Sequence, residues 1–197
     1  KKMKITFLGH ATLEIQINEF NLLVDPFISG NPMASNVDLD DLKPDFILIT
    51  HAHQDHTLDV EKLAKDNNSL IISNFEIVSH FQNIGLNGHP MNHGGKWNFD
   101  FGELKYVNAI HTSTFPDGSN GGQPGGFIIT SNNKSIYIAG DTALTYDMKL
   151  IPINYNLDLA ILPIGDNFTM GYKDAIIASD FIAVSYTHLT LPTNPEV

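Results

Sequence analysis

The stretch that decides how this chain folds is Thr50-His51-Ala52-His53-Gln54-Asp55-His56. It places three imidazoles and one carboxylate within six residues, directly after the apolar run Asp45-Phe46-Ile47-Leu48-Ile49. That run predicts a buried strand, and the pattern from Leu58 to Ala64 predicts a helix after the turn. The histidines therefore lie on a turn at the carboxyl end of a strand, where a rigid scaffold presents side chains to a crevice.

The spacing within this turn suits two metal ions. His51 and His53 are two residues apart, so an extended backbone directs both rings to the same side. Asp55 and His56 are adjacent at the start of the next helix and diverge, which suits a second metal beside the first. A solvated polar turn is the alternative interpretation, but three histidines within six residues are rare by chance.

Further motifs connect this turn to a known family. The pattern His-x-His-x-Asp-His resembles the metal-binding signature of the metallo-β-lactamase superfamily. Three more stretches resemble segments of that family, and they are Gly140-Asp141-Thr142 after the strand from Ser135 to Ala139, His111 after the strand from Leu104 to Ile110, and Asp25 in Leu22-Leu23-Val24-Asp25-Pro26. The resemblance covers residues 3 to about 183.

Four shorter motifs narrow the match to a small bacterial branch known only as metal-dependent hydrolases of unassigned substrate. They are Gly9-His10, Asp25-Pro26-Phe27, His89-Pro90-Met91-Asn92 and Gly165-Asp166-Asn167-Phe168-Thr169-Met170-Gly171. These motifs are specific for the fold and the metal site and weak for the substrate.

The resemblance implies a complete set of metal ligands. The first metal would be held by His51, His53 and His111, the second by Asp55 and His56, and Asp141 would bridge both. Three histidines suit zinc, which is the metal we expect, while a carboxylate-rich second position also accepts manganese or iron. The expected cofactors are therefore two divalent metal ions.

The chemistry that follows is hydrolysis by a hydroxide that bridges the two metals. Two cations lower the pKa of a shared water from about 15.7 towards roughly 7. Asp55 would orient this nucleophile and pass its proton to the leaving group, which makes Asp55 the candidate catalytic residue. A small-molecule ester, lactone, amide or phosphoester would fit such a nucleophile.

Five other residues are candidates for supporting the ligands or touching the substrate: His10, Asp25, His89, Asn167 and Thr169. Metal-bound histidines usually need hydrogen-bonding partners of this kind. For His10 and His89 the alternative is ordinary packing in a turn. Asn167 and Thr169 follow the predicted strand from Leu159 to Leu162 and are expected to shape the pocket wall.

Composition and charge narrow the class of protein. The 197 residues, 42% of them hydrophobic, predict a single domain over residues 1–197. The chain contains no cysteine, so any metal site must use nitrogen and oxygen donors. Its net charge is −11 and every basic residue is lysine, which argues against nucleic acid as a partner. No apolar run approaches membrane-spanning length, so we expect a cytoplasmic protein without membrane contact.

The remaining pattern predicts an α/β (α+β) fold of two packed sheets. Residues Met3 to Leu8, Thr12 to Ile17 and Asn21 to Val24 predict consecutive antiparallel strands. Asn74 is predicted to cap a helix from Phe75 to Ile84. With the resemblance, this implies a four-layer αββα metallo-β-lactamase sandwich, with the metals at one edge where its halves meet.

The C-terminal segment departs from the family pattern after Ile182 or Ala183. The branch closes with a His-Tyr segment followed by Thr-Phe-Pro, which supplies the last ligand of the second metal. Residues from about 184 to 197 do not match it, so we interpret them as an atypical tail that is truncated or altered. His188 would be the replacement ligand, but we expect it to be a free tail residue.

The prolines of this tail predict its structure. Pro192 and Pro195 lack an amide donor and fix φ, so we expect residues after about Ser185 to be poorly ordered or packed against a neighbouring chain. The open sheet edge would then favour a homo-oligomer.

Two alternatives to a small-molecule hydrolase stay open. One is a mononuclear iron oxidoreductase of the same fold, since two histidines and a carboxylate with open positions can activate oxygen. The intact pair of Asp55 and His56 argues against it. The other is a catalytically impaired metal-binding protein, because the last ligand segment is missing. β-Lactamase activity is disfavoured because the surrounding pocket motifs are unfamiliar.

Overall fold

Two six-stranded β-sheets form the centre of the protein, and the computed structural model describes residues 3–190. The first sheet has the strand order β1-β2-β3-β4-β5-β6. Its strands are β1 Met3–Gly9, β2 Thr12–Ile17, β3 Phe20–Val24, β4 Phe46–Leu48, β5 Leu70–Asn74 and β6 Gly88–Met91. The first three strands are antiparallel, as predicted, and β4 to β6 join them in parallel.

The second sheet has the order β12-β11-β10-β9-β8-β7. Its strands are β7 Lys96–Phe99, β8 Gly102–Asn108, β9 Gly125–Ser131, β10 Lys134–Ile138, β11 Leu159–Pro163 and β12 Thr187–Thr190. The strands from β7 to β10 are antiparallel, and β10, β11 and β12 are parallel.

Within residues 3–190, five short α-helices accompany the sheets: α1 Gln54–Thr57, α2 Val60–Asn67, α3 Phe75–Asn83, α4 Ile151–Asn154 and α5 Tyr172–Phe181. Helix α3 begins where the sequence predicted, because the side chain of Asn74 accepts a hydrogen bond from the backbone NH of Ile77 at 2.9 Å. None of the helices within residues 3–190 is long and apolar enough to cross a bilayer.

Three buried clusters define the layers. Alternate residues of both sheets, such as Leu13 and Ile15 of β2 and Leu104 and Ile129 of the second sheet, meet in one core. The outer face of the first sheet packs against α2 and α3, and the outer face of the second packs against α4 and α5. The period of two along each strand places one set of side chains in each core. The αββα sandwich is therefore confirmed.

The end of the described chain differs from our prediction. Thr187–Thr190 form β12, which pairs in parallel with β11. Backbone bonds from Ala160 NH to the Tyr186 carbonyl and from Ile164 NH to the Thr190 carbonyl, both 2.9 Å, attach this segment. The expectation of a poorly ordered segment after Ser185 is thus wrong as far as residue 190, while Pro192 and Pro195 lie outside the described residues. Strand β12 therefore covers the edge of β11 that we expected to be open.

Candidate metal centre

Loops that leave β4, β8 and β10 meet at one edge of the sandwich. The turn after β4 carries His51 and His53 and continues into α1 with His56. The loop after β8 brings the ring of His111 to centroid distances of 5.0 Å from His51 and 5.1 Å from His53. The loop after β10 brings Asp141, whose Oδ2 lies 3.5 Å from Nε2 of His56. Both sheets therefore contribute to the site.

The first group of donors consists of His51, His53 and His111, whose ligand atoms lie within 4.8 Å of one another. Nε2 of His51 and Nδ1 of His53 are 3.1 Å apart, so the extended backbone does direct both rings to one side. Burial lowers the pKa of all three rings, and the pKa of fully buried His51 falls well below its usual value. These imidazoles are consequently neutral near pH 7, which is the form that binds metal.

The second group consists of His10, Asp55 and His56, again with ligand atoms within 4.8 Å of one another. Nε2 of His10 lies 3.0 Å and Nε2 of His56 lies 3.8 Å from Oδ2 of Asp55. Burial opposes ionisation of Asp55, but the two neighbouring rings outweigh it and lower its pKa to about 2. Asp55 is thus a carboxylate at neutral pH.

Asp141 lies between the two groups. Its Oδ2 is 3.5 Å from Nε2 of His56 and 3.8 Å from Nε2 of His111. Burial opposes its ionisation, but His56, His51 and His111 outweigh burial and hold its pKa far below the usual range. Asp141 thus lies beside one histidine of each group.

Asp25 is linked to both groups of donors, to His56 directly and to His51 through Thr50. Its Oδ1 accepts the backbone NH of Thr50 at 2.8 Å, and its Oδ2 accepts the Thr50 hydroxyl at 2.6 Å and lies 2.8 Å from Nδ1 of His56. The Thr50 hydroxyl is also 3.0 Å from Nδ1 of His51. Burial lowers the pKa of His56, but the carboxylates of Asp141 and Asp25 outweigh it and raise that pKa well above its usual value. This role of Thr50 was not predicted from the sequence, although Thr50 stands directly before the first histidine.

A packed loop holds the histidine turn in place. The hydroxyl of Ser113 accepts the backbone NH of Ala52 at 3.1 Å and donates to the carbonyl of Gly121 at 3.0 Å. A Cβ on Gly121 would overlap the Cβ of Ala52 and come within 2.6 Å of Oγ of Ser113. Gly121 is therefore in close contact with the segments that carry Ala52 and Ser113.

Comparison with known proteins identifies the family. The model of the family described as Beta-lactamase superfamily domain matches residues 4–185. The chain belongs to the β-lactamase superfamily.

Relatives of this superfamily member share most of its length. It is 65% identical over 180 residues to the UPF0173 metal-dependent hydrolase of Flavobacterium johnsoniae, which covers 91% of this chain and 80% of the relative. It is 43% identical over 185 residues to the UPF0173 metal-dependent hydrolase of Bacillus thuringiensis, and the match covers 91% of this chain and 81% of the relative. The solved structure of Igni18, a metallo hydrolase from Ignicoccus hospitalis, superposes with a TM-score of 0.89 at 30% identity. The superposition covers 98% of this chain and 84% of Igni18. The superfamily member is accordingly a metal-dependent hydrolase.

The donor atoms of this β-lactamase superfamily member fit a metal. Nε2 of His56 and both ring nitrogens of His10 are buried without a directed hydrogen bond within residues 3–190. A buried polar atom without a partner costs about 1–3 kcal/mol, which a bound cation would remove. The available donors are imidazole nitrogens and carboxylate oxygens, the set that suits zinc, manganese or iron.

The long loop after β3 adjoins this site. The buried carboxylate of Asp59 accepts the backbone NH groups of Ile28 at 2.6 Å and Ser29 at 3.0 Å, and the Ser29 hydroxyl as well. This anchoring holds the ring of Phe27 edge-on to His10, with the centroids 5.6 Å apart.

Two candidate residues lie away from the site. His89 occupies β6, two strands from β4, where its ring packs on Trp97 at 5.3 Å and Phe99 at 4.9 Å. The ring of His188 lies 4.9 Å from that of Phe7. Among the described residues, neither histidine joins a group of metal-binding side chains. The structure therefore places His89 away from the two groups of donors, because parallel pairing with β5 puts its strand at the sheet edge.

The loop before α5 lies against the loop that carries Asp141. The NH of Met170 donates to the carbonyl of Thr142, next to Asp141, at 2.9 Å. The Thr169 hydroxyl accepts the NH of Gly165 at 3.0 Å, so it shapes the loop from within. Asn167 is exposed in the same loop.

Proposed function

We propose that this metal-dependent hydrolase uses two divalent ions, zinc in the first instance, to hydrolyse a small-molecule ester, lactone, amide or phosphoester. The observation that supports two ions is the position of Asp141, whose Oδ2 lies 3.5 Å from His56 and 3.8 Å from His111. One ion would be held by His51, His53 and His111, and the other by Asp55 and His56, with Asp141 shared. When bound, these ions would acidify water and polarise a substrate oxygen.

Asp55 is the carboxylate suited to proton transfer. Its side chain is 45% exposed, whereas that of Asp141 is 17% exposed and that of His56 is fully buried. Asp55 therefore reaches the open side of the site, where it would accept a proton from the attacking water and return it to the leaving group. Its low pKa means that it is ionised, and so able to accept a proton, at neutral pH.

The rim of the site favours a substrate with an apolar part. Ile110, next to His111, is 52% exposed, and Phe168, in the loop whose Met170 NH donates to the carbonyl of Thr142, is 60% exposed. Exposed apolar side chains beside a polar centre are typical of ligand-binding sites. The acidic balance of the chain, with a net charge of −11, disfavours a polyanionic substrate.

Metal analysis and a substrate panel test this proposal. Protein purified without chelator should contain two divalent ions per chain, and it should hydrolyse at least one of a set of esters, lactones, amides and phosphodiesters, with β-lactams included. Asp55→Asn should lower turnover by about 100-fold or more, as loss of a positioned acid–base does. Protein that stays metal-free after reconstitution would contradict the site assignment. Iron-selective binding with oxygen consumption on a thiol substrate would indicate the oxidoreductase instead.

A further inference from the structure

The second group of donors contains a residue to which the family resemblance assigns no metal. The resemblance expects the last ligand of the second metal from the C-terminal segment, but His188 packs on Phe7 instead. His10, from the turn between β1 and β2, occupies the vicinity of Asp55 and His56. We propose that His10 is a direct ligand of the second metal and completes, with Asp55, His56 and Asp141, a set of four protein donors.

Geometry and burial support this role. His10 is 7% exposed, and its ring lies edge-on to that of His56 with the centroids 5.0 Å apart. Its Nε2 lies 3.0 Å from Oδ2 of Asp55, yet neither ring nitrogen makes a directed hydrogen bond within the described residues. A cation between His10, Asp55 and His56 would give a partner to one ring nitrogen of His10 and to Nε2 of His56.

His56 shows the orientation that a ligand needs. Its Nδ1 faces Asp25 at 2.8 Å, so its Nε2 is left without a partner and faces Asp55 and Asp141. A histidine that donates through one nitrogen to a carboxylate and offers the other is the usual arrangement of a metal ligand. The unpartnered nitrogens of His10 and His56 therefore lie beside the same two carboxylates.

The backbone at His10 is held in a conformation that few residues adopt. His10 has a φ of +53° and follows Gly9 with a φ of +112°, next to an irregularity in the β1–β2 register. A non-glycine residue in this region costs of order 1 kcal/mol or more, and such costs are concentrated at functional sites. This turn directs the ring of His10 inward, against Phe27 and His56.

Metal stoichiometry provides the first test. The inference depends on the proposed function only in requiring that the protein binds metal. His10→Asn removes the imidazole and keeps a residue that tolerates positive φ. The variant should bind one ion where the parent binds two, and titration with Co²⁺ should show no absorbance from a second tetrahedral ion. His188→Ala, as the matched control, should bind two. Two ions in His10→Asn with unchanged affinity would overturn the inference but leave the hydrolase proposal intact, whereas a metal-free parent would contradict the hydrolase proposal.

A cysteine variant tests direct coordination. Because the chain contains no cysteine, His10→Cys introduces a single thiol. With Cd²⁺ it should give the ultraviolet band of thiolate-to-metal charge transfer at one equivalent, while His188→Cys should not. A position that merely orients Asp55 would not produce this band. Its absence in folded His10→Cys that still binds two Cd²⁺ would overturn the assignment.

Discussion

Asp25 and His56 form a buried pair, with Oδ2 of the carboxylate 2.8 Å from Nδ1 of the ring. Through Thr50 the same carboxylate also reaches the histidine turn. One side chain thus fixes the orientation of a donor in each of the two groups. Asp25 follows directly after β3, which is the neighbour of β4. The residue that orients these donors therefore comes from β3 and not from the histidine turn after β4.

Replacing Asp25 with asparagine tests this support. Asn tolerates the φ of +45° at this position, but its amide cannot accept all the hydrogen bonds that the carboxylate accepts. We expect metal affinity to fall by about 10- to 100-fold, measured by titration against a competing chelator. Asp66→Asn, at an exposed carboxylate paired with Lys62, is the control. Equal metal affinity in the two variants would show that Asp25 does not position the ligands.

The first group of donors can be tested against a histidine outside it. His53→Ala should abolish binding of one ion, because three imidazoles would be reduced to two. His89→Ala should leave the metal content of the protein unchanged, since its ring contacts Trp97 and Phe99. Elemental analysis after removal of free metal gives both results. A loss of metal in His89→Ala would contradict the position of β6 described above.

Gly121 links loop packing to the metal centre. Gly121→Ala would force apart the segments carrying Ala52 and Ser113, so we expect a loss of about 1–3 kcal/mol in the free energy of unfolding, together with weaker metal binding. Gly118→Asn is the control, because no atom lies within 4 Å of a Cβ there and Asn tolerates its φ of +85°. Urea unfolding of the metal-free proteins measures the difference. Equal stability of the two variants would mean that the loop shifts without cost.

The side chain of Asn74 caps a helix and also binds a loop, and two substitutions can distinguish these two roles. Its side-chain oxygen caps α3, and its amide donates to the carbonyls of Gly121 at 2.7 Å and Gln123 at 3.0 Å. Asn74→Asp keeps the capping oxygen but faces the two carbonyls with a carboxylate, so it should destabilise the fold at pH 7 at least as much as Asn74→Ala, by about 1–3 kcal/mol. Thermal unfolding compares them. An Asp variant as stable as the parent would show that capping alone matters.

The parts of the fold that sequence predicted are those with a local signal. Strand β2 was predicted at its observed bounds because apolar and polar residues alternate along it, and α3 because Asn74 is a capping residue. Strand β6 was missed as a strand because Gly88 and Pro90 suggest a turn. Proline is acceptable there because β6 is an edge strand.

In the candidate site, too, only the residues with a local signal could be predicted from the sequence. The spacing of His51, His53 and His56 is visible in one turn, whereas the proximity of His10 to Asp55 depends on how β1 and β2 lie in the folded sheet. Strands β2, β3 and β4 and a long loop lie between these two residues in the sequence, so no local pattern connects them. Contacts of this kind become visible only when the strand order is known.

The contribution of donors from both sheets makes metal affinity and folding one linked equilibrium. His51 and His56 belong to the first sheet and its helix, while His111 and Asp141 belong to loops of the second. An ion that binds only when the two sheets are packed stabilises that packing by about 2.7 kcal/mol at a free concentration of 100 times its Kd. The metal supply of the cell would therefore govern how long the protein persists as well as whether it is active.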